Sequence, residues 1–169
     1  AVNNLGVSYA TGDYILLLNN DTEVITANWT EEMLMYAQRE DVGAVGAKLY
    51  YADKTIQHAG VVIGLGAHRT AGHTHYRIPV QNLGYMGRLC YTQNATAVTG
   101  ACLLVKKSLY EQVGGLDESF VISLNDVDFC LKLRKLGLLN VWTPFAELYH
   151  YESISRGLDD QGEKAERYN

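Results

Sequence analysis

The stretch "YILLLNNDTEV", Tyr14–Val24, decides how the rest of the chain is read. Tyr14–Leu18 is an unbroken apolar run, without the alternation of a strand that is wetted on one face. Such a run fits a strand covered on both sides, as in the sheet of an α/β protein. It stops at two amides and an acid, Asn19-Asn20-Asp21. Ligands of open α/β sheets bind at the carboxyl ends of the strands, where these side chains stand. Alternate residues of an extended segment point the same way, so Asn19 and Asp21 share a face. Their oxygen donors suit a hard cation, Mg2+ or Mn2+, which in turn would neutralise a diphosphate. A strand ending in a turn, with Asp21 or Thr22 holding backbone groups, accounts for the same residues.

Upstream, Asn3–Ala10 is helix-like and Gly12 is a plausible stop. The chain starts at Ala1 inside this element, which reads as a fragment of a longer protein. Downstream, Trp29, Met33, Leu34, Tyr36 and Ala37 recur at helical spacing over Asn28–Arg39. Glu31 and Glu32 occupy the first turn, where the helix dipole favours them. Val42–Leu49 is a second strand, with Gly43 and Gly46 allowing close packing. Strand, helix, strand is the repeating unit of an α/β sheet.

A hairpin is expected to turn at Asp53-Lys54. Residues 65–93 then show little periodicity, and a loop of that length is usually functional or mobile. Residues 96–107, "TAVTGACLLVKK", read as a strand interrupted by Gly100. A short helix over "KSLYEQVGG" ends at Gly114-Gly115, and "LDESF" makes a turn. Asn125–Leu136 is an amphipathic helix with Val127, Cys130, Leu131 and Leu133 on its apolar side. "LLNVWTP" and "AELYHYES" give two short terminal strands, and the tail from Arg156 is polar.

At 169 residues and 47% apolar content, the chain can bury a core the size of one domain. Its net charge of −5 argues against a general nucleic-acid binder, which shows a basic face. Cys90, Cys102 and Cys130 stand apart with no CxxC pair, which suggests reduced thiols and a cytosolic setting. The apolar runs are too short to cross a bilayer.

Three further groups bear on chemistry. Asp126 and Asp128 open the 125–136 helix, where acids are favoured as caps, a role Asn125 could share. A carboxylate held there over a cleft is also a suitable general base. His150, between Tyr149 and Tyr151, is either packed structurally or a third metal ligand beside Asp21. His58, His68, His73 and His75 are the other histidines. His73 and His75 share a face if extended, but no Cys or acid joins them at zinc-ligand spacing. The absence of a Gly-rich phosphate loop disfavours a doubly wound nucleotide-binding regulator. Tyr50-Tyr51 and Tyr149–Tyr151 suit either sugar stacking or ordinary strand packing, whereas Trp29 and Trp142 belong in the core.

Taken in order, "NNLG…ATGDYILLLNNDTEV", "VTGACLLVKKSLYEQVGGLDESF", "NDVDFCLKLRKLG" and "YHYESISRG" closely resemble the family 2 glycosyltransferases of the GT-A fold, rhamnosyltransferase-like and O-antigen type. The resemblance runs from Asn3 to about Arg156. It implies a GT-A-like α/β fold, a mixed and mostly parallel sheet flanked by helices. Residues 1–169 would be a single partial catalytic domain, lacking the N-terminal strands that bind the nucleobase and ribose. Asn19-Asn20-Asp21 matches the family's D-x-D motif, with Asp21 as metal ligand, Asn19 in place of the first acid and His150 completing the shell of Mg2+ or Mn2+. Asp126 matches the general base, preceded by Asn125 where the family has Glu. Asn20, Ser153 and Arg156 would contact phosphates; Gly100, Ala101 and Asp128 would line the sugar and acceptor side.

The implied partners are a nucleotide-sugar donor and a glycan or lipid-linked acceptor, in inverting transfer at the cytoplasmic side of a membrane. The fragment itself is expected to be weak or inactive. A sheet edge left open by missing strands would invite pairing as a homodimer. The Asn residues at 19 and 125 also suit a non-catalytic glycan- or nucleotide-sugar-binding scaffold.

Overall fold

The computed structural model describes residues 2–65, 70–120 and 124–151. Helix α1 (Val2–Tyr9) leads into β1 (Tyr14–Leu18), β2 (Thr22–Val24), α2 (Trp29–Ala37) and β3 (Val42–Tyr50). Short strands β4 (Ile56–His58), β5 (Val61–Ile63), β6 (Ala71–His73) and β7 (Gln93–Ala95) follow, with one 3-10 turn at Tyr85–Gly87. β8 (Cys102–Lys106), α3 (Lys107–Gln112), α4 (Asn125–Lys135) and β9 (Leu139–His150) complete the order.

One seven-stranded sheet runs β1-β8-β3-β9-β2, with β4 on the β8 side of β3 and β7 beside β9. β5 and β6 form a separate antiparallel pair, of which β6 lies inside the segment 65–93 expected to be a long loop and β5 just before it. The sheet is mixed, as expected, but the expectation that it is mostly parallel needs correcting. Only β3 and β9 pair in parallel; β1–β8, β3–β8, β3–β4, β2–β9 and β7–β9 are antiparallel. The reason lies in where β8 inserts. The crossover β1–α2–β3 does lay two strands in the same direction, but β8 slots between them and runs against both. Periodicity reports a strand's burial and is silent on its neighbour's direction.

The two faces of the sheet carry two cores. On one, Met33 and Ala37 of α2 pack on Val45, Ala47, Leu49 and Leu148. On the other, Val7, Tyr110, Phe129, Cys130 and Leu133 of α1, α3 and α4 meet Ile15, Leu17, Leu103 and Trp142. Every residue of β3 is buried, as a strand sandwiched between layers must be. Gly46 is obligatory there: a Cβ would lie 2.5 Å from Val98 Cβ. α4 ends in a Schellman cap, with Gly137 at φ +84° donating to Arg134 O and Leu138 N donating to Leu133 O. Phe129, missed on the apolar side of α4, is fully buried.

The two expected terminal strands are one, β9, interrupted rather than broken. Its register against β3 shifts between Trp142 and Glu147, while β3 advances only from Gly46 to Lys48. The surplus residues include Pro144, which cannot donate to the ladder. β9 also changes its outer neighbour there, from β7 to β2. Among the described residues no helix is long and apolar enough to cross a membrane. The three cysteines are free; burial pushes the thiols of Cys102 and Cys130 up to about 12, while Cys90 is exposed.

Candidate active site

β1, β3 and β9 all point the same way, so their carboxyl ends open at one rim, and β8 begins there. That rim gathers residues from five segments. At the end of β1, Asn19 N donates to Ala101 O at 2.9 Å, tying the strand to the loop before β8. Thr22 Oγ1 donates to Asn19 O at 2.9 Å, and Tyr151 N donates to Asp21 O at 2.9 Å. The turn reading holds through Thr22. Thr22 closes the turn through main chain, which leaves the Asn19 and Asp21 side chains free to face the rim.

They face His150, whose residue pairs with Thr22 across β9 and β2. Asn19 Nδ2 lies 3.0 Å from His150 Nε2, and Asp21 Oδ1 lies 3.2 Å from the same nitrogen. On the far side of the ring, His150 Nδ1 lies 2.7 Å from Gln57 Oε1. Gln57 Nε2 donates to His150 O at 3.4 Å. The opposite amide orientation would set Oε1 against that carbonyl oxygen, acceptor to acceptor. Oε1 therefore takes the proton of Nδ1, and in the neutral ring Nε2 is left with a lone pair. Asn19 donates into that lone pair. Asp21 Oδ1 does not: it is buried and has no hydrogen-bond donor. In the neutral ring its 3.2 Å approach to Nε2 sets one electron-rich atom beside another, whereas a protonated ring would make the contact an ion pair.

A cation resolves that conflict. A buried, unpartnered carboxylate oxygen beside an imidazole lone pair is a fitting donor pair for a divalent ion, and rotation of the Asn19 amide would add an oxygen. Among the described residues no group of three or more His, Cys, Asp or Glu could hold a metal, so two such side chains and the amide make up the described donor set.

Asp126 reaches the same rim from α4. Its Oδ2 accepts from Gly100 N at 2.8 Å, and its Oδ1 accepts from Val127 N at 2.8 Å. It is thus both a helix-start acceptor and a tether to the loop before β8. Asn125 Oδ1 accepts from Asp126 N at 2.8 Å. Gly100 leaves little space: a Cβ would sit 3.3 Å from Asp126 Cβ. A continuous path of contacts therefore joins the distant positions, from Asp126 through Gly100 and Ala101 to Asn19, then His150 and Asp21.

Other expected residues sit differently. The Ala101 methyl is buried in the α2-side core, and only its main chain reaches the rim. Asp128 Oδ2 lies 2.7 Å from Lys132 Nζ along α4, at ion-pair distance though not aligned as a hydrogen bond. Residues two apart on a helix do not face each other, so Asp126 and Asp128 point apart. Asn20 is exposed in the turn. Ser153 and Arg156 lie outside the described residues, as does His68.

Reading the sequence missed Gln57, His58 and the role of His73. His58 is wholly buried, accepts from Thr99 N at 3.4 Å through Nε2 and meets His73 Nδ1 at 2.8 Å through Nδ1. Burial first, then the charges of His73 and His150, push its pKa well below the ordinary imidazole value. His73 is therefore engaged with His58 and does not share a zinc site with His75. Two polar residues in a three-residue strand that is entirely buried were the available signal.

Comparison with known proteins gives the fold and the family. The chain is 52% identical to the uncharacterized protein y4gI of Sinorhizobium fredii over 169 residues, covering 99% of the chain and 18% of y4gI. It is 41% identical to the O-antigen biosynthesis protein RfbC of Myxococcus xanthus over 160 residues, covering 94% of the chain and 12% of RfbC. The chain thus spans less than a fifth of the length of these relatives. Among solved structures it resembles GalNAc-T7 with UDP, GalNAc and Mn2+, at TM-score 0.69 and 11% identity, over 94% of the chain and 31% of that protein. It also resembles the mannosyltransferase PcManGT of Pyrobaculum calidifontis with GDP-Man and Mn2+, at TM-score 0.58 and 14% identity, over 92% and 36%. These likenesses establish a GT-A fold. The model of the family described as "Glycosyl transferase family 2" matches residues 1–114, from α1 through α3, and with the fold and the rim in place the chain belongs to that family.

Proposed function

We propose that residues 1–169 form the cation- and acceptor-side part of a catalytic domain that transfers a sugar, with inversion, from a nucleotide-diphospho-sugar to an acceptor hydroxyl. The observation that carries this reading is the contact path from Asp126 to Asp21, which brings a carboxylate base and a cation-donor pair to one rim. Asp21 Oδ1, His150 Nε2 and the Asn19 amide would hold Mg2+ or Mn2+. When bound, that ion supplies positive charge against the diphosphate leaving group. Asp126 accepts the proton of the incoming hydroxyl; the hydrogen bonds from Gly100 and Val127 fix its carboxylate and leave lone pairs for that proton. Asn20, with Ser153 and Arg156 following β9, serves the phosphates. Gly100 and Ala101 wall the acceptor side through their main chain.

The relatives' names point to surface polysaccharide. RfbC is an O-antigen biosynthesis protein. A Mycobacterium tuberculosis N-acetylglucosaminyl-diphospho-decaprenol L-rhamnosyltransferase is 44% identical over 62 residues, 37% of this chain and 20% of that enzyme. That likeness supports a glycan or lipid-linked acceptor.

The test is nucleoside diphosphate release by the full-length protein from a panel of nucleotide sugars with Mn2+. Asp126→Asn should lower kcat by roughly 10²–10⁴-fold and leave Mn2+ affinity in place. Undiminished turnover would remove Asp126 from this role. The asparagines at 19 and 125 support a second reading, a binding domain that takes up nucleoside diphosphate with Mn2+ and releases no product.

A further inference from the structure

β4 carries a bulge, and the bulged residue is Gln57. Leu49 of β3 stands opposite His58, and the next residue, Tyr50, stands opposite Ile56. Gln57 falls between those two pairs and has no partner in the ladder. A bulge bends its strand and re-aims the extra side chain, and bulges gather beside active sites for that reason. Here the extra side chain is 4% exposed, in a strand with no solvent face. Burying an amide without partners is costly, so its destination matters. Each end has a bond to His150: Oε1 to Nδ1 at 2.7 Å and Nε2 to the carbonyl oxygen at 3.4 Å.

We infer that Gln57 is a positioning residue, held out of register so that it fixes the His150 ring in the tautomer whose Nε2 lone pair faces Asp21 and Asn19. The inference rests on the cation-donor reading of Asp21 and His150 and adds to it the residue that makes His150 a donor. A ring with Nδ1 unprotonated would carry its proton on Nε2, pointed where the cation belongs. A ring without a partner at Nδ1 would exchange between the two forms and rotate. The amide prevents both from outside the donor set, as outer partners of ligating histidines do.

The experiment uses the full-length protein and Mn2+ alone, with free Mn2+ followed by electron paramagnetic resonance and no donor present. Gln57→Met keeps the length and removes the acceptor at Nδ1; the affinity should fall roughly 10- to 100-fold. Gln57→Glu keeps an acceptor oxygen at Nδ1 and loses the long bond to the carbonyl; it should bind Mn2+ at least as tightly as the parent. His150→Ala sets the floor. A merely structural role for Gln57 would lower melting temperature in both variants without separating their affinities. Gln57→Met binding Mn2+ within twofold of the parent, or Gln57→Glu falling to the His150→Ala floor, overturns the inference. If Gln57→Met does not fold, Gln57→Glu against that floor decides it alone. A parent that binds no Mn2+ refutes the donor reading itself and this inference with it, whereas a parent that binds it, with Gln57→Met unaffected, refutes this inference only.

Discussion

Asn19→Asp should destabilise the protein without Mn2+ and lose most of that deficit when Mn2+ is added. The Asn19 amide nitrogen is 3.0 Å from His150 Nε2, and Asp21 Oδ1 is 3.2 Å from that atom, so the two side-chain tips lie within about 6 Å. Two carboxylates at that separation repel by roughly 3 kcal/mol at an effective dielectric of 20 and by less than about 1 kcal/mol in bulk water. Asn19 is exposed and the Asp21 side chain is 32% exposed, which favours the lower value. The lost donor to Nε2 adds about 1 kcal/mol. Without metal the variant should therefore be about 1–2 kcal/mol less stable than the parent. With Mn2+ the same negative charge faces a divalent cation, and a gain of similar size in binding raises affinity roughly tenfold. At Mn2+ near 100 times the parent's Kd, binding stabilises the parent by about 2.7 kcal/mol and the tenfold tighter variant by about 4.1 kcal/mol, so the difference of about 1.4 kcal/mol cancels most of the deficit. The assay is melting of parent and variant at pH 8 and low ionic strength, with and without Mn2+, beside a Mn2+ titration. A variant more stable than the parent without metal, or one with unchanged Mn2+ affinity, would refute the arrangement of donors described here.

Three further outcomes follow from the packing. Asn4 of α1 bonds Tyr110 OH, Leu116 N, Leu116 O and Glu118 Oε1; Asn4→Ala should cost about 2–4 kcal/mol at about 1 kcal/mol per bond, read by denaturant unfolding, and a loss below about 0.5 kcal/mol would show the clip to be idle. Gly46→Ala drives a methyl into Val98 and should destabilise by roughly 1–3 kcal/mol, with a normal melting temperature counting against the close approach. His58 is depressed in the folded state, so its contribution is intact above the unfolded value of 6.5 and drains away as pH falls below it. Between pH 7.5 and 5.5 that is a loss of about 1.4 kcal/mol from this group, and unfolding curves of His58→Asn should show a shallower slope than the parent's.

Much of this architecture is legible in the residues because it is local. The apolar run ending before Asn19 gives β1 to the residue, and α4 shows its Gly137 stop; its expected caps fail, since Leu124 is the N-cap and no side-chain cap bond forms there. The candidate site is legible as three separate pieces, Asp21, Asp126 and His150, each with an ordinary structural explanation. What joins them is not local. Gln57 and His150 meet across β3 by virtue of a bulge that no periodicity announces. β8 reverses the sheet between β1 and β3 through pairing alone. Pro144 and its neighbours look like the end of a strand because Pro cannot donate, yet the strand resumes once its partner changes. Asp128, paired with Lys132, shows the converse case: a motif position whose neighbour in space is simply the next turn of its own helix.

The loop before β8 holds the rim together through peptide groups: Thr99 N to His58, Gly100 N to Asp126 and Ala101 O from Asn19. Truncating side chains in this segment leaves all three links untouched, so an alanine scan would pass over the joint on which the geometry turns. Replacing a single amide by an ester at Gly100, which deletes one hydrogen and no side chain, would reach it.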